Sequence, residues 1–125
     1  MLFRSLIGGL VTMGLLIWLA LLQWRFVTVR VARGVRLSSF LGLAVVALQV
    51  MLGGWVSANY AALACPDLPL CHGALVPEMD FSNAFHLVRE LGQTPQGELL
   101  SLQALTAIHW THRMFALVEI GRAHV

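Results

Sequence analysis

Long apolar stretches alternate with polar ones along this chain. Residues 6–24 contain no charged side chain, and residues 37–57 form a second uncharged run. Because a helix needs about 20 apolar residues to cross the hydrocarbon core of a bilayer, both runs predict transmembrane helices. A third apolar segment, 103–118, is interrupted by His109, His112 and Arg113. We expect it to begin a third crossing.

The polar segments between these runs predict the orientation. Residues 25–36 contain basic side chains and no acid, which is typical of a short cytoplasmic loop. The segment 58–102 is acidic and holds every proline and both cysteines, and it is predicted as an external loop. Within it, residues 80–91 have an apolar face and end before Gly92, which predicts a short amphipathic helix. The N-terminus is then expected outside.

Composition supports a membrane protein surrounded by lipid. The chain is 58% hydrophobic and 11% charged, with a mean hydropathy of +0.79, too apolar for an ordinary soluble domain. Six acidic residues are opposed by eight Arg and no Lys, which gives a net charge of +2. No stripe of basic and aromatic residues accompanies them, so nucleic-acid binding is not expected.

Both ends of the chain break the pattern. Residues 2–5 can be encoded by CTC TTC CGA TCT and residues 120–125 by ATC GGA AGA GCA CAC GTC, which resemble the flanks of a common sequencing adapter. We therefore expect 1–5 and 119–125 to be translated adapter and 6–118 to be the natural sequence. No function is expected for Arg4, Arg122 or His124.

The strongest chemical signal is the cluster His109, His112 and Arg113. Residues three and four apart share a broad face of a helix. Ionisable groups inside a membrane helix usually serve a ligand, an ion or a proton path. An imidazole is a common axial ligand of haem iron, and an arginine can pair with a propionate. The spacing leaves three alternatives open: a haem ligand, a proton relay, and solvated side chains at the external interface. Zinc is less favoured, because the spacing is not His-Glu-x-x-His.

Cys65 and Cys71 lie in the predicted external loop, where an oxidising compartment favours a disulfide. A redox-active pair, free thiols and metal-binding thiols are the alternatives. His72 and His86 are expected to be solvated or hydrogen-bonded loop residues. Asn59 and Tyr60, just beyond Trp55, look like an interfacial belt.

In combination, the motifs of residues 37–118 resemble those of haem A synthase. The resemblance is carried by QVMLGGWVSANYAALACPDLPLC from Gln49 to Cys71, then His72-Gly73 and Pro77-Glu78-Met79-Asp80-Phe81, then FHLVRELG from Phe85 and ALTAIHWTHR from Ala104 to Arg113. Each motif alone is weakly specific. Residues 6–9 are similar to the fourth helix of that family just after its histidine, a position that Ser5 occupies here.

The resemblance implies an all-α membrane enzyme of eight helices in two four-helix-bundle halves, of which this fragment would hold about three transmembrane helices. Such an oxidoreductase oxidises a methyl group of haem O to the formyl group of haem A for terminal oxidases. The fragment alone is expected to be inactive. The resemblance also implies the bacterial inner (plasma) membrane, with the mitochondrial inner membrane less favoured, and haem O synthase and oxidase assembly factors as partners. The competing classes are a non-enzymatic b-type cytochrome or haem-handling subunit, and a purely structural membrane subunit.

By the same resemblance, His112 would be an axial ligand of haem B iron, and Arg113 would serve a propionate or a structural pair. His109 departs from the Glu-x-x-His-Arg form of the family's first half. It is therefore expected to support the cofactor site or to handle protons. Cys65 and Cys71 match the family's external cysteine pair, which implies a disulfide at the mouth of the haem site.

Overall fold

The computed structural model describes residues 2–24, 30–88 and 90–123. Within these ranges the regular elements are helices, together with two isolated β-bridges, and no strand is present. The chain is therefore an all-α membrane protein. The elements are α1 (Leu2–Gln23), α2 (Arg33–Ala58), a 3-10 helix (Ala61–Leu63), α3 (Phe81–Ala84) and α4 (Leu102–Ala123).

Two described segments, Arg4–Gln23 and Arg33–Ala58, are long and apolar enough to cross a membrane. They correspond to the runs 6–24 and 37–57. The 22-residue helix α4 covers the predicted segment 103–118. It does not belong to this set of apolar helices, because it carries the His109–Arg113 cluster. Its crossing of the membrane stays a prediction.

The basic segment 25–36 is only partly a loop. Arg33 and Arg36 lie in the first turn of α2, and residues 30–32 precede it without regular structure. Arginine is a good helix former, which suits this extension of the helix. Arg25 and the rest of 25–29 lie outside the described residues. The helices α1 and α4 also continue into the segments 1–5 and 119–125, whose origin stays a prediction.

The chain divides into two compact units, residues 1–47 and 48–125. In the first unit, the described residues of α1 and of α2 up to residue 47 are exposed, apart from the half-buried Ile7 and Val45. Apolar side chains exposed along whole helices are what lipid contact requires. The apolar composition of its helices, and not a packed core, therefore indicates that this unit lies in a membrane.

The second unit contains a packed core between the end of α2, the loop and the start of α4. Apolar residues with less than a tenth of their surface exposed lie here and are Trp55, Val56, Ala58, Ala61, Ala64, Cys65, Cys71, Ala84, Leu100, Ala104, Ala107 and Ile108. Small residues dominate this set, and small side chains let membrane helices and loops approach closely. The candidate site lies on this core.

The loop 58–102 is fastened to the end of α2 by Trp55 and Asn59. The Trp55 indole donates to the Ala84 carbonyl at 3.0 Å, and the Asn59 carbonyl oxygen accepts from the Gly92 amide at 3.1 Å. Trp55 is 5% and Asn59 1% exposed, whereas Tyr60 is 74% exposed. The expectation of an interfacial belt is therefore wrong for Asn59, because the folded loop covers it.

The helix predicted over 80–91 is much shorter in the structure. α3 covers only Phe81–Ala84, and Asp80 caps its start by accepting from the amides of Ser82 and Asn83. The backbone angles of Phe85 are no longer helical. The Ala84 carbonyl is taken by Trp55, so a bond to the core replaces the continuation of the helix.

Residues 92–100 form a narrow turn before α4. Leu100 donates its amide to the Gly92 carbonyl at 3.0 Å, Gln93 and Leu99 form a β-bridge, and Thr94 donates its amide to the Glu98 carbonyl at 2.7 Å. The tip around Pro95 is exposed. The loop thus reaches α4 as an ordered segment.

Candidate functional site

The start of α4 positions the His109–Arg113 cluster. Ser101 accepts the Ala104 amide at 3.2 Å, which caps the helix, and the first turns are buried through Ala104, Ala107 and Ile108. The next turn carries His109, His112 and Arg113, all half-buried. A helix anchored by its buried first turns holds these three side chains in fixed directions.

His112 faces α2. The Gln49 amide nitrogen lies 3.1 Å from His112 Nδ1 and donates to the His112 carbonyl at 3.2 Å. A β-carbon added at Gly53 would lie 3.2 Å from His112 Cε1, so the imidazole rests against bare backbone. Within the described part of the chain, His112 Nε2 makes no hydrogen bond. The ring is thus held at one nitrogen and one edge, with its second nitrogen open.

His109 faces the cysteine loop. Its Nδ1 accepts the Cys65 amide at 3.3 Å. Cys65 lies on the chain segment that follows α2. His109 therefore joins α4 to the start of the loop.

Arg113 faces the same loop and binds it more extensively. One guanidinium nitrogen, Nη1, donates to the carbonyls of Asp67 and Leu70, both at 2.7 Å. Nη2 donates to the Cys65 carbonyl at 3.1 Å. Arginine has five N–H donors in a rigid fork, so this side chain can gather several carbonyls at once. Two of these donors make no hydrogen bond within the described residues.

The loop bound by Arg113 is closed by a disulfide between Cys65 and Cys71. Asp67, inside the loop, accepts the amides of His72 and Gly73, both at 2.7 Å. The Gly73 bond, followed by the His72 bond and the His72 charge, holds the pKa of the Asp67 carboxyl below its ordinary value, against a smaller opposing effect of burial. The loop is thus fixed from inside as well as from α4.

A cavity of about 420 Å³ lies beside this loop in the second unit. It is lined by His72, Ala74, Val76, Pro77, Glu78, Leu102, Gln103 and Thr106. None of the three clustered residues of α4 lines it. His72 and His86 are exposed, as expected for loop histidines.

The structure separates the three predicted site residues into two groups. His112 meets Gln49 and Gly53 of α2, whereas His109 and Arg113 meet the cysteine loop. Sequence reasoning included Gln49 and Gly53 in the family-like segment 49–71 and treated Gly53 as a helix-packing residue, but it assigned neither of them a role at this site. An amide within an otherwise apolar helix was the signal that could have identified Gln49, because a polar group at that depth needs a partner.

In the ranges that the structure describes, no group of three or more His, Cys, Asp or Glu side chains is arranged to hold a metal ion.

Comparison with known proteins identifies relatives of this chain. Residues 2–123 match the family described as cytochrome oxidase assembly protein, COX15-CtaA. A heme A synthase of Shewanella oneidensis is 43% identical over 72 residues, which cover 56% of this chain and 21% of that protein. The chain thus spans about a fifth of the relative's length. No solved structure matches it significantly. Since the family match extends over nearly the whole sequence, this chain belongs to the cytochrome oxidase assembly protein family COX15-CtaA.

Proposed function

We propose that this chain is part of a haem A synthase, an oxidoreductase that converts a methyl group of haem O into the formyl group of haem A for terminal oxidases. The family match and the similarity to the heme A synthase of S. oneidensis support this proposal. The observation that carries it is the arrangement of His112, an imidazole held between two helices with Nε2 open.

In this proposal His112 would hold the iron of haem B. A neutral imidazole is suited to that role, and the surroundings of the ring fit a bound cofactor. Gly53 leaves space at the ring edge that a β-carbon would fill, and the buried Gln49 Oε1 has no hydrogen-bond partner among the residues that the structure describes. The haem would supply one-electron chemistry. His112 would fix its position and tune its potential.

His109 and Arg113 contribute to the same site by fixing the cysteine loop. Their bonds to the backbone of residues 65–70 support this role. The two guanidinium donors of Arg113 that are not used by the loop suit a carboxylate such as a haem propionate. The Cys65–Cys71 disulfide would then shape the mouth of the site.

The complete enzyme would comprise eight transmembrane helices in two four-helix halves, with α4 as a third crossing in this chain. We place it in the bacterial inner membrane, with residues 58–102 outside, because the relative is bacterial and the basic segment 25–36 precedes α2. Haem O is the proposed substrate. Haem O synthase and oxidase assembly factors are the proposed protein partners.

The test is to recover the gene beyond both ends of this sequence, express it with a haem O supply, and separate the extracted haems by chromatography. Haem A in the extract is the expected result. Haem B together with unconverted haem O would instead favour a non-enzymatic b-type cytochrome.

A single variant tests the ligand. His112→Ala is expected to remove the haem B absorbance of the purified full-length protein, while His72→Ala, on the exposed loop, leaves it unchanged. An unaltered spectrum in His112→Ala would contradict the ligand role.

A further inference from the structure

Gln49 is a polar side chain placed against His112 from the opposing helix. Its amide nitrogen lies 3.1 Å from His112 Nδ1 and donates a hydrogen bond to the His112 carbonyl at 3.2 Å. Its oxygen Oε1 is buried and has no hydrogen-bond partner among the described residues. A buried acceptor without a donor costs free energy, so this amide is adapted to more than the contacts that it makes here.

The Gln49 amide can serve Nδ1 in two ways. With the nitrogen toward the ring, it donates to a bare Nδ1, and the ring proton then lies on Nε2. Turned by half a rotation, Oε1 accepts a hydrogen bond from Nδ1–H, the amide nitrogen gives up its bond to the His112 carbonyl, and Nε2 is left unprotonated. Only the second arrangement allows a neutral imidazole to bind a metal through Nε2. The orphaned oxygen is the atom that this rotation would provide with a donor.

Gly53 restricts the same ring from its edge. It lies one helical turn after Gln49, so both residues point to the same side of α2. A β-carbon here would approach His112 Cε1 to 3.2 Å, closer than ordinary contact, and the ring would have to shift. At Gly42, farther back on the same helix, a β-carbon meets nothing within 4 Å. The need for glycine is therefore specific to position 53.

We propose that Gln49 and Gly53 form a cradle on α2 that orients His112, with Gln49 Oε1 accepting a hydrogen bond from Nδ1–H when Nε2 binds haem iron. The proposal rests on the proposed function, since it assumes that His112 is the ligand. Gln49 and Gly53 are positioning residues in it. They act through the ring and not on the substrate.

Gln49 is tested in the complete protein by two substitutions with opposite consequences. Gln49→Leu removes the acceptor and is expected to lower the affinity for haem B by roughly 10–100-fold. Gln49→Glu supplies a stronger acceptor, so haem content is retained and the midpoint potential of the haem falls below that of the parent. Gln96→Leu, on the exposed loop, is the matched control and should change neither quantity.

Gly53 is tested by Gly53→Ala against Gly42→Ala. The first is expected to lower haem affinity roughly tenfold or more and to shift the electron paramagnetic resonance of the oxidised haem, because the ring must turn. The second should leave both unchanged. Helix propensity changes in the same direction in both variants, which isolates the contact with His112.

The outcomes separate the two proposals. If His112→Ala keeps the haem B spectrum, the ligand assignment fails. If His112→Ala loses it but Gln49→Leu and Gly53→Ala match the parent in affinity, potential and resonance, the cradle is wrong and the ligand assignment stands. Should Gln49→Leu fail to accumulate in the membrane, Gln49→Glu decides: a lowered potential supports the cradle, and an unchanged or raised one overturns it.

Discussion

Two faces of α4 contact different neighbours, although the residues that mark them, His112 and Arg113, are adjacent in the chain. His112 meets Gln49 and Gly53 on α2, whereas Arg113 donates three hydrogen bonds to carbonyls of the disulfide loop. His109 belongs with Arg113. A dense polar cluster on a membrane helix therefore need not be one site. Part of it can anchor a loop while another part stays available to a ligand.

Arg113→Ala is expected to have the largest effect on the loop-facing side. The substitution removes three charge-assisted hydrogen bonds from the loop carbonyls, a loss on the order of 3–5 kcal/mol in the free energy of unfolding. It should also raise the rate of hydrogen exchange across residues 65–71. Denaturant unfolding of the detergent-solubilised protein measures the first effect, and mass spectrometry measures the second.

Arg36→Ala, at an exposed position of α2, is the matched control for Arg113→Ala. Arg113→Lys should recover only part of the loss, because one ammonium group cannot reproduce the guanidinium fork. The comparison of the two faces would be wrong if Arg113→Ala abolished haem binding while leaving loop exchange at the parent rate.

His109→Phe is expected to have a smaller effect of the same kind. The phenyl ring keeps the volume but leaves the Cys65 amide without its acceptor, which costs about 1–2 kcal/mol. Thermal unfolding should show this loss, and the haem B spectrum should be retained. Gln96→Phe, at the exposed tip of the loop, provides the control. Loss of haem with an unchanged unfolding temperature would place His109 on the ligand side.

Asp67→Asn is expected to have the smallest effect, visible as a pH dependence. Hydrogen bonds from the Gly73 and His72 amides lower the folded-state pKa of Asp67 below the ordinary 3.8. Its contribution to loop stability is therefore fully present above about pH 4 and lost as the pH falls through the lowered pKa. Exchange of the two amides should rise in this acidic range in the parent only. An identical profile in Asp67→Asn would contradict the role of the carboxylate.

The helices of the first unit were predictable because their signal is local. Uncharged runs of sufficient length dictate helices when backbone groups have no water to bond, and α1 and α2 follow the runs 6–24 and 37–57 closely. The prediction of a helix over the whole of 80–91 was wrong, because the side chain that bonds the backbone of this segment is distant in sequence. The Trp55 indole takes the Ala84 carbonyl across 29 residues, and no local pattern contains that bond.

The cluster on α4 was found from sequence, but its division was not. At about 100° per residue, Arg113 lies roughly 40° from His109, while His112 lies roughly 100° from Arg113. His109 and Arg113 are therefore closer to each other around the helix than either is to His112, which lies roughly 60° from His109. What each face meets depends on how the loop returns, which the spacing does not encode.

The narrow turn at residues 92–100 offers a practical way to determine which side of the membrane the loop occupies. Its tip at Pro95 is exposed, and the bonds that hold the loop, from Asn59 to Gly92 and from Arg113 to the disulfide segment, lie elsewhere. Exposed tips closed at their base tolerate insertions. A short epitope placed between Pro95 and Gln96 would therefore be readable by an antibody in intact spheroplasts if the loop is external, and only after permeabilisation if it is cytoplasmic, while the anchored part of the loop keeps its structure.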